Sequence, residues 1–437
     1  MDLPFYTRKD LHHAVSRFRL QNDSLSHLTE ETIITIPIDL EKSAHTGGSL
    51  AFDPKGNLFI SIGDNTPPWF SQGHAPLDER PGRSVYDAQR TSANKFDLRG
   101  KILRITPRPE RGGFTVPEGN LFPADGKQGR PEIYAMGCRN PYRISIDPRD
   151  GTLYWGEVGP DAGEDSPFGP RGYDEINRAK RPGNFGWPYF VGNNRPYPQV
   201  DFATQQVGQP FDPQNIVNRS VNVPEEQPLP APLSAWIYYP YDQSADFPLL
   251  GSGGRTAMAG PFYLAERSTS VNRFPVYYDQ AMLIYDWMRG WVMAVWSEAD
   301  GQIQSMEPVL PHLKLANPID MDFGPDGALY VLEYGYTWYS QNPEATLSRI
   351  TYEQSNRSPL ARLSLSDSVL ALGQAVQLSA AASYDLDGDR LTYTWQLDGQ
   401  VVSTQATFEH HFDRPGIYYP TLEVRDSRGY ASRSQGA

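Results

Sequence analysis

Residues 50–64 read LAFDPKGNLFISIGD. A short apolar strand runs into a turn built on Asp53, Pro54 and Gly56, and a second strand with alternating apolar residues leaves it, which is the pattern of a β-hairpin. Residues 144–159, ISIDPRDGTLYWGEVG, and residues 321–335, MDFGPDGALYVLEYG, repeat the pattern. One such hairpin is common, whereas three in one chain point to radial repetition. The turns at Asp53 and Asp147 lie farther apart than one blade of about 45 residues, so long loops or degenerate blades fall between them. The expected fold is all-β, a β-propeller with elaborated loops. Asp53, Pro54, Asp147 and Pro148 are turn formers in this reading, and chemistry is sought in the loops between hairpins.

Composition agrees. The chain has 437 residues with 38 Gly and 39 Pro spread along its length, which suits many short strands and few long helices. A formal net charge of −13 argues against nucleic acid or anionic membranes as partners, since both are held by basic patches. No run approaches the roughly 18 consecutive apolar residues of a membrane span. The N-terminal stretch MDLPFYTRKDLHHAVSRF lacks the basic and apolar segments of a secretory signal. Cys138 is the single cysteine, which excludes an internal disulfide and a four-thiolate metal site, and without CxxCH no c-type haem is attached. Long stretches over 65–95 and 190–235, rich in Pro, Asn and Gln, either cover a site or wrap the propeller.

Around Glu353–Pro359 the pattern changes to a polar linker. Alternating strands and a turn at Asp398-Gly399 follow, fitting a small β-sandwich over 354–437 after a propeller over 1–353. The stretch SYDLDGDRLTYTWQLDG resembles the polycystic-kidney-disease (PKD) repeat, an immunoglobulin-like module. An EF-hand loop starting at Asp385 fails, because Arg390 and Gln396 stand where Gly and Glu are required. Asp385, Asp387 and Asp389 are read as turn and solvent residues.

Three clusters could carry chemistry. His45 precedes the first hairpin, beside Gly47 and Gly48, and is either a general base or a satisfied structural histidine. Asp64, at the far end of the same hairpin, could orient it. Arg139 and Asn140 open the second hairpin and offer donors for carboxylate or quinone oxygens, or anchor a loop. Gly159 and Pro160, followed by Asp161, Glu164 and Asp165, offer carbonyls and carboxylates that suit either a hard cation or solvent.

Taken in order, HTGGSLAFDPKGNLFISIGDN, LRGKILRI, PEIYAMGCRNP, GEVGPDAGEDSP, YDEIN and GNFGWP resemble the soluble quinoprotein glucose/sorbosone dehydrogenase family over roughly residues 40–190. The resemblance implies a six-bladed propeller that binds pyrroloquinoline quinone (PQQ) with Ca²⁺ and oxidises sugars at the anomeric carbon. It assigns His45 as general base, Asp64 as its support, Arg139 and Asn140 as cofactor contacts, and the carbonyls of Gly159 and Pro160, with Asp161 beside them, as the calcium site. It also implies work in the periplasm or outside the cell, with an external electron acceptor such as a c-type cytochrome. The ring is expected to be incomplete at its N-terminal side.

Departures accompany the match. Val158 stands where glucose-oxidising members have Gln, Met288 where they have Lys, and LKLANPIDMDF offers no counterpart to their later arginines. Arg255 and Arg289 are the cations expected to hold the cofactor instead. Two rivals stay open: a carbohydrate- or protein-binding propeller with a decayed redox site, and a hydrolase using Glu157 and Glu175.

Overall fold

The computed structural model describes residues 11–38, 45–110, 112–337, 340–352, 356–385 and 387–436. The three quoted repeats form antiparallel hairpins, and in each the turn residues supply the local bonds. In the first, the Asp53 carboxylate accepts from the backbone N–H of Lys55 and of Asn57, both at 2.9 Å. In the second, Asp147 accepts from Arg149 N at 2.9 Å. In the third, Gly324 replaces the leading Asp, and Asp326 takes over the role by accepting from Ala328 N at 3.1 Å.

These hairpins lie inside larger antiparallel sheets. Blade 1 is built from Leu50–Phe52, Leu58–Ile62, Lys101–Pro107 and Ile133–Met136, and Gly183–Asn184 joins its edge in parallel. Blade 2 comprises Pro141–Ile146, Leu153–Glu157, Asp174–Ala179 and Ile237–Tyr239, in that spatial order. Blade 3 comprises Ala257–Phe262, Met282–Asp286, Val292–Ser297 and Ile303–Val309. Blade 4 has three strands, Pro318–Phe323, Leu329–Glu333 and Thr346–Ile350. A separate pair, His12–Arg17 with Glu31–Pro37, stands beside them, and four shorter two-stranded sheets lie in the connecting segments. Of the six blades that the resemblance implies, the described residues build four, with the pair as a further layer. The helical segments among them are three-residue 3-10 turns, and none is long and apolar enough to cross a membrane.

The sheets stack through side chains that alternate along each strand. In Leu58–Ile62, Leu58, Ile60 and Ile62 pack with Ile33, Ile34 and Ile36 of the separate pair. Phe59 points the other way, into Ile144, Leu153 and Trp155 of blade 2. A strand covered on both faces reads as a nearly continuous apolar run, which is how LFISI reads apart from the buried Ser61. Tyr154, Ile176 and Ile237 of blade 2 pack on Ala257, Ala259 and Ile284 of blade 3. Met258, Leu283 and Tyr285 of blade 3 then meet Met321, Leu329 and Val331 of blade 4. The cores therefore lie between successive sheets, the packing of a propeller. Cys138, fully buried, belongs to the layer between blades 1 and 2.

The chain divides into two compact units, 1–269 with 273–350 and 270–272 with 351–437. The boundary expected at 353/354 falls outside the described residues. In the second unit, Ala375–Ser379 lies between Ser364–Leu365 and Thr407–His411. A second sheet orders Gln400–Ser403, Thr392–Leu397, Thr421–Arg425 and Ala431–Gln435. Trp395, Val376, Leu378, Leu422 and Val424 fill the core between them, an immunoglobulin-like sandwich. Here Asp385 accepts from Asp387 N at 2.8 Å and Asp389 N at 3.1 Å, and Asp387 pairs with Arg357 at 2.7 Å. That arrangement is an Asx turn balanced by arginine, as the residue types suggest.

Candidate active site

His45 and Asp64 are drawn together by the first hairpin and the loop before it. Asp64 follows the inward end of Leu58–Ile62, and its backbone N–H donates to the Arg139 carbonyl at 2.8 Å. His45 adopts a φ of +25°, which brings its carbonyl onto Gly63. A Cβ at Gly63 would lie 2.0 Å from that oxygen, so only glycine permits the approach. The His45 Nδ1 then sits 2.7 Å from Asp64 Oδ1. A carboxylate at that distance fixes the proton on Nδ1 and leaves Nε2 as the basic nitrogen. No protein group among the described residues bonds Nε2.

Asp64 is fully buried and its carboxylate is saturated by donors. Thr66 N reaches Oδ1 at 2.8 Å, and the Trp187 indole N–H reaches Oδ2 at 2.8 Å. The His45 imidazole is held neutral, its pKa lowered first by burial and then by the Arg139 cation, against the opposing pull of Asp64. A base must be unprotonated to act, and this environment keeps it so.

Arg139 and Asn140 lie between blades 1 and 2, and one carboxylate fixes both. Glu157, ending the strand Leu153–Glu157, accepts from Arg139 N at 2.8 Å and from Asn140 N, while its other oxygen accepts from the Trp155 indole at 3.1 Å. Asn140 Oδ1 accepts in turn from Gly47 N at 3.1 Å, tying the loop of His45 to blade 2. The Arg139 guanidinium donates to Val158 O at 2.8 Å and stands 3.7 Å from the exposed Asp161 carboxylate. Apart from that ion pair through Nη2, its remaining N–H groups make no hydrogen bond to protein among the described residues. His45, Asp64, Arg139 and Asn140 thus form one cluster.

Glu157 and Glu175 are cross-strand neighbours and fully buried. Burial, then Glu175, pushes Glu157 up to about 8, and burial pushes Glu175 up to about 7. Glu175 accepts from Gly192 N and the Asn177 amide. Both carboxylates are thus engaged with donors of the fold, which leaves neither facing a substrate as a hydrolytic pair requires.

The remaining expected residues are placed differently. Pro160 O accepts from Arg255 Nη2 at 2.7 Å. Arg255 Nη1 lies 3.1 Å from Asp174 Oδ1, both side chains being 1% exposed. Arg289, expected at the cofactor, is engaged by the surrounding backbone. Its five N–H groups donate to the carbonyls of Gly254, Leu250, Gly251, Pro240 and Gly253, at 2.6–3.2 Å. A guanidinium has five donors, so none remains for a ligand. A cavity of about 480 Å³ between blades 3 and 4, lined by Met288, Trp291, His312 and Lys314, does not include the His45 cluster.

Trp187 and Asp174 were not singled out by sequence. Both lie in quoted motifs, GNFGWP and YDEIN, but Trp187 meets Asp64 across 123 residues of chain, a pairing that only the fold reveals. The long loops help to hold it: Ala75, Leu77 and Ala88 pack with Trp187, Val191 and Tyr197.

Comparison with known proteins gives two family matches. The family described as glucose/sorbosone dehydrogenase matches residues 5–221, and the PKD domain matches residues 356–437. The aldose sugar dehydrogenase YliI of Escherichia coli is 33% identical over 177 residues, 40% of this chain and 37% of that protein. The HIPL1 protein of Arabidopsis thaliana is 27% identical over 168 residues, 36% of this chain and 20% of its own length. The chain therefore spans well under half the length of these relatives. Among solved structures, a glucose dehydrogenase superposes with a TM-score of 0.49 at 21% identity, covering 78% of this chain and 74% of that one. The PQQ-bound aldose sugar dehydrogenase of Streptomyces coelicolor gives 0.44 at 16%, covering 79% and 72%.

Proposed function

We propose, from the premise that the chain carries a glucose/sorbosone dehydrogenase domain over residues 5–221 and a PKD domain over residues 356–437, that it oxidises a hydroxyl group of an aldose or related sugar. The observation that carries the reading is the 2.7 Å pair of His45 and Asp64, with Nε2 left open beside Arg139. His45 Nε2 takes the proton of the hydroxyl being oxidised. The imidazolium so formed is stabilised by Asp64, whose own charge is held by Thr66 N and the Trp187 indole. Asp64 supports His45 and does not touch the sugar. Arg139, with free N–H groups, and Asn140 stand beside the base and supply positive potential where negative charge develops.

The donor set fits a quinone. Free guanidinium N–H groups next to a neutral imidazole suit PQQ oxygens, so His45, Arg139 and Asn140 are the residues that would hold it. When bound, PQQ supplies a two-electron acceptor for the hydride. The calcium expected at Gly159, Pro160 and Asp161 does not fit. Pro160 O is bonded to the Arg255 cation, and the Asp161 carboxylate stands by the Arg139 cation. No step is therefore routed through a metal. The electrons would leave to an external acceptor such as a c-type cytochrome, in the periplasm or outside the cell.

A second reading, a carbohydrate-binding propeller without redox activity, is favoured by the complete engagement of Arg289. Titration of the folded chain with PQQ, followed by dye-linked oxidation of a panel of aldoses, decides between them. PQQ binding with turnover supports the dehydrogenase. Sugar binding without PQQ binding or turnover overturns it in favour of the second reading.

A further inference from the structure

Arg255 lies just before the first strand of blade 3, and its guanidinium is buried, with Nη2 hydrogen-bonded and Nε and Nη1 making no hydrogen bond among the described residues. Nη2 donates to Pro160 O at 2.7 Å, Nη1 lies 3.1 Å from Asp174 Oδ1, and the group sits over the Tyr241 ring at 3.9 Å from its centroid. Asp174 is locked from behind by Gly159 N at 3.1 Å and Ala257 N at 2.9 Å. The walls admit nothing larger. A Cβ at Gly172 would lie 1.6 Å from Pro160 O and 2.9 Å from Arg255 Nη2, and one at Gly159 would lie 1.7 Å from Tyr173 O.

A hard divalent ion collects six to eight oxygens at about 2.3–2.6 Å. Around the Gly159–Asp161 loop most oxygens already face cations, the Gly159 carbonyl being left over. Val158 O accepts from Arg139, Pro160 O from Arg255, and the carboxylates of Asp161 and Asp174 face the same two guanidinia. Adding a divalent charge beside two guanidinia in a buried setting is opposed by like-charge repulsion. Among the described residues no group of three or more His, Cys, Asp and Glu gathers to hold a metal.

We infer that the Arg255 guanidinium takes the place of a divalent cation at this loop. It closes Gly159–Pro160 onto Asp174 without metal, and with Arg139 it gives the site a positive charge that pH and chelators do not remove. This rests on the proposed function only for the role of the loop at the site; the metal independence stands on the contacts alone.

The test is thermal melting of the 437-residue chain in EDTA and in millimolar calcium. An Asp385→Asn background removes the acidic turn of the second unit as an alternative ligand while keeping its Oδ1 acceptor. The expected result is no shift in melting temperature, and no saturable terbium luminescence excited through tryptophan. A fall of several degrees in EDTA, restored saturably by Ca²⁺, overturns the inference. Arg255→Met sharpens it: without the cation, Asp174 is buried unpaired and melting falls by several degrees, and added Ca²⁺ now raises it because the oxygens are free. Arg255→Lys restores melting in part whether or not calcium is present. If Arg255→Met does not fold, the wild-type comparison decides alone. A chain indifferent to calcium that neither binds PQQ nor oxidises any sugar defeats the dehydrogenase reading and leaves this inference intact.

Discussion

Arg139 and Arg289 are both arginines at the ends of propeller strands, both were expected at a cofactor, and the fold uses them in opposite ways. Arg139 has its backbone N–H fixed by Glu157 and spends one guanidinium bond on Val158 O. Arg289 spends all five on the loop spanning Pro240 and Leu250–Gly254. The backbone is held alike in both, Arg289 N donating to Asp286 at 2.7 Å as Arg139 N does to Glu157 at 2.8 Å, so the difference lies in the guanidinium. A side chain that anchors its surroundings with every donor has none left for a ligand. An arginine's place in a motif is thus weaker evidence of function than the fate of its N–H groups.

The largest effect expected on the open side of this contrast comes from the base. His45→Ala should lower sugar oxidation by about 10²–10⁴-fold while leaving melting nearly unchanged, measured by dye-linked turnover. Full activity would remove the cluster from the chemistry. On the engaged side, Arg289→Ala should cost about 2–4 kcal/mol of stability, read by denaturant unfolding, with PQQ affinity in the surviving folded fraction unchanged. A selective loss of affinity at unchanged stability would erase the contrast.

Smaller effects refine the open side. Trp187→Phe removes one donor to Asp64 and should reduce turnover about tenfold, a loss of about 1.4 kcal/mol. With fewer donors, Asp64 pulls harder on the His45 proton, so the acid limb of the pH–rate profile moves to higher pH. An unmoved limb would show that the indole acts by packing alone. The smallest effect concerns Glu157, whose folded pKa of about 8 lies above its ordinary value of 4.5. The folded state therefore binds the extra proton, and stability is lost as pH rises across that window. Glu157→Gln does not titrate, so the wild type should lose melting temperature relative to this variant as pH rises from about 5 to about 8. Parallel curves would mean that Glu157 carries its charge throughout.

Much of the fold was legible because hairpins declare themselves locally. Asp, Pro and Gly at the turns of 50–64, 144–159 and 321–335 carry their own hydrogen bonds, and the near-continuous apolar run of LFISI records two buried faces. The pairing of His45 with Asp64 was legible for the same reason, since one hairpin joins them. Trp187 on Asp64 and Arg255 on Pro160 were not, because each contact joins different blades or loops and leaves no spacing in the chain. The engagement of Arg289 was not legible either, because its letter records a charge and not where its donors point.

Cys138 is fully buried between blades 1 and 2, and burial, reinforced by the Glu157 carboxylate, pushes its thiol well above the ordinary range. Thiolate is the reactive form, so a maleimide pulse should leave the native chain unlabelled. As the single thiol in the sequence it becomes a built-in clock: its labelling rate measures how often the seam between these two blades parts, at the same seam that carries Arg139 and Asn140.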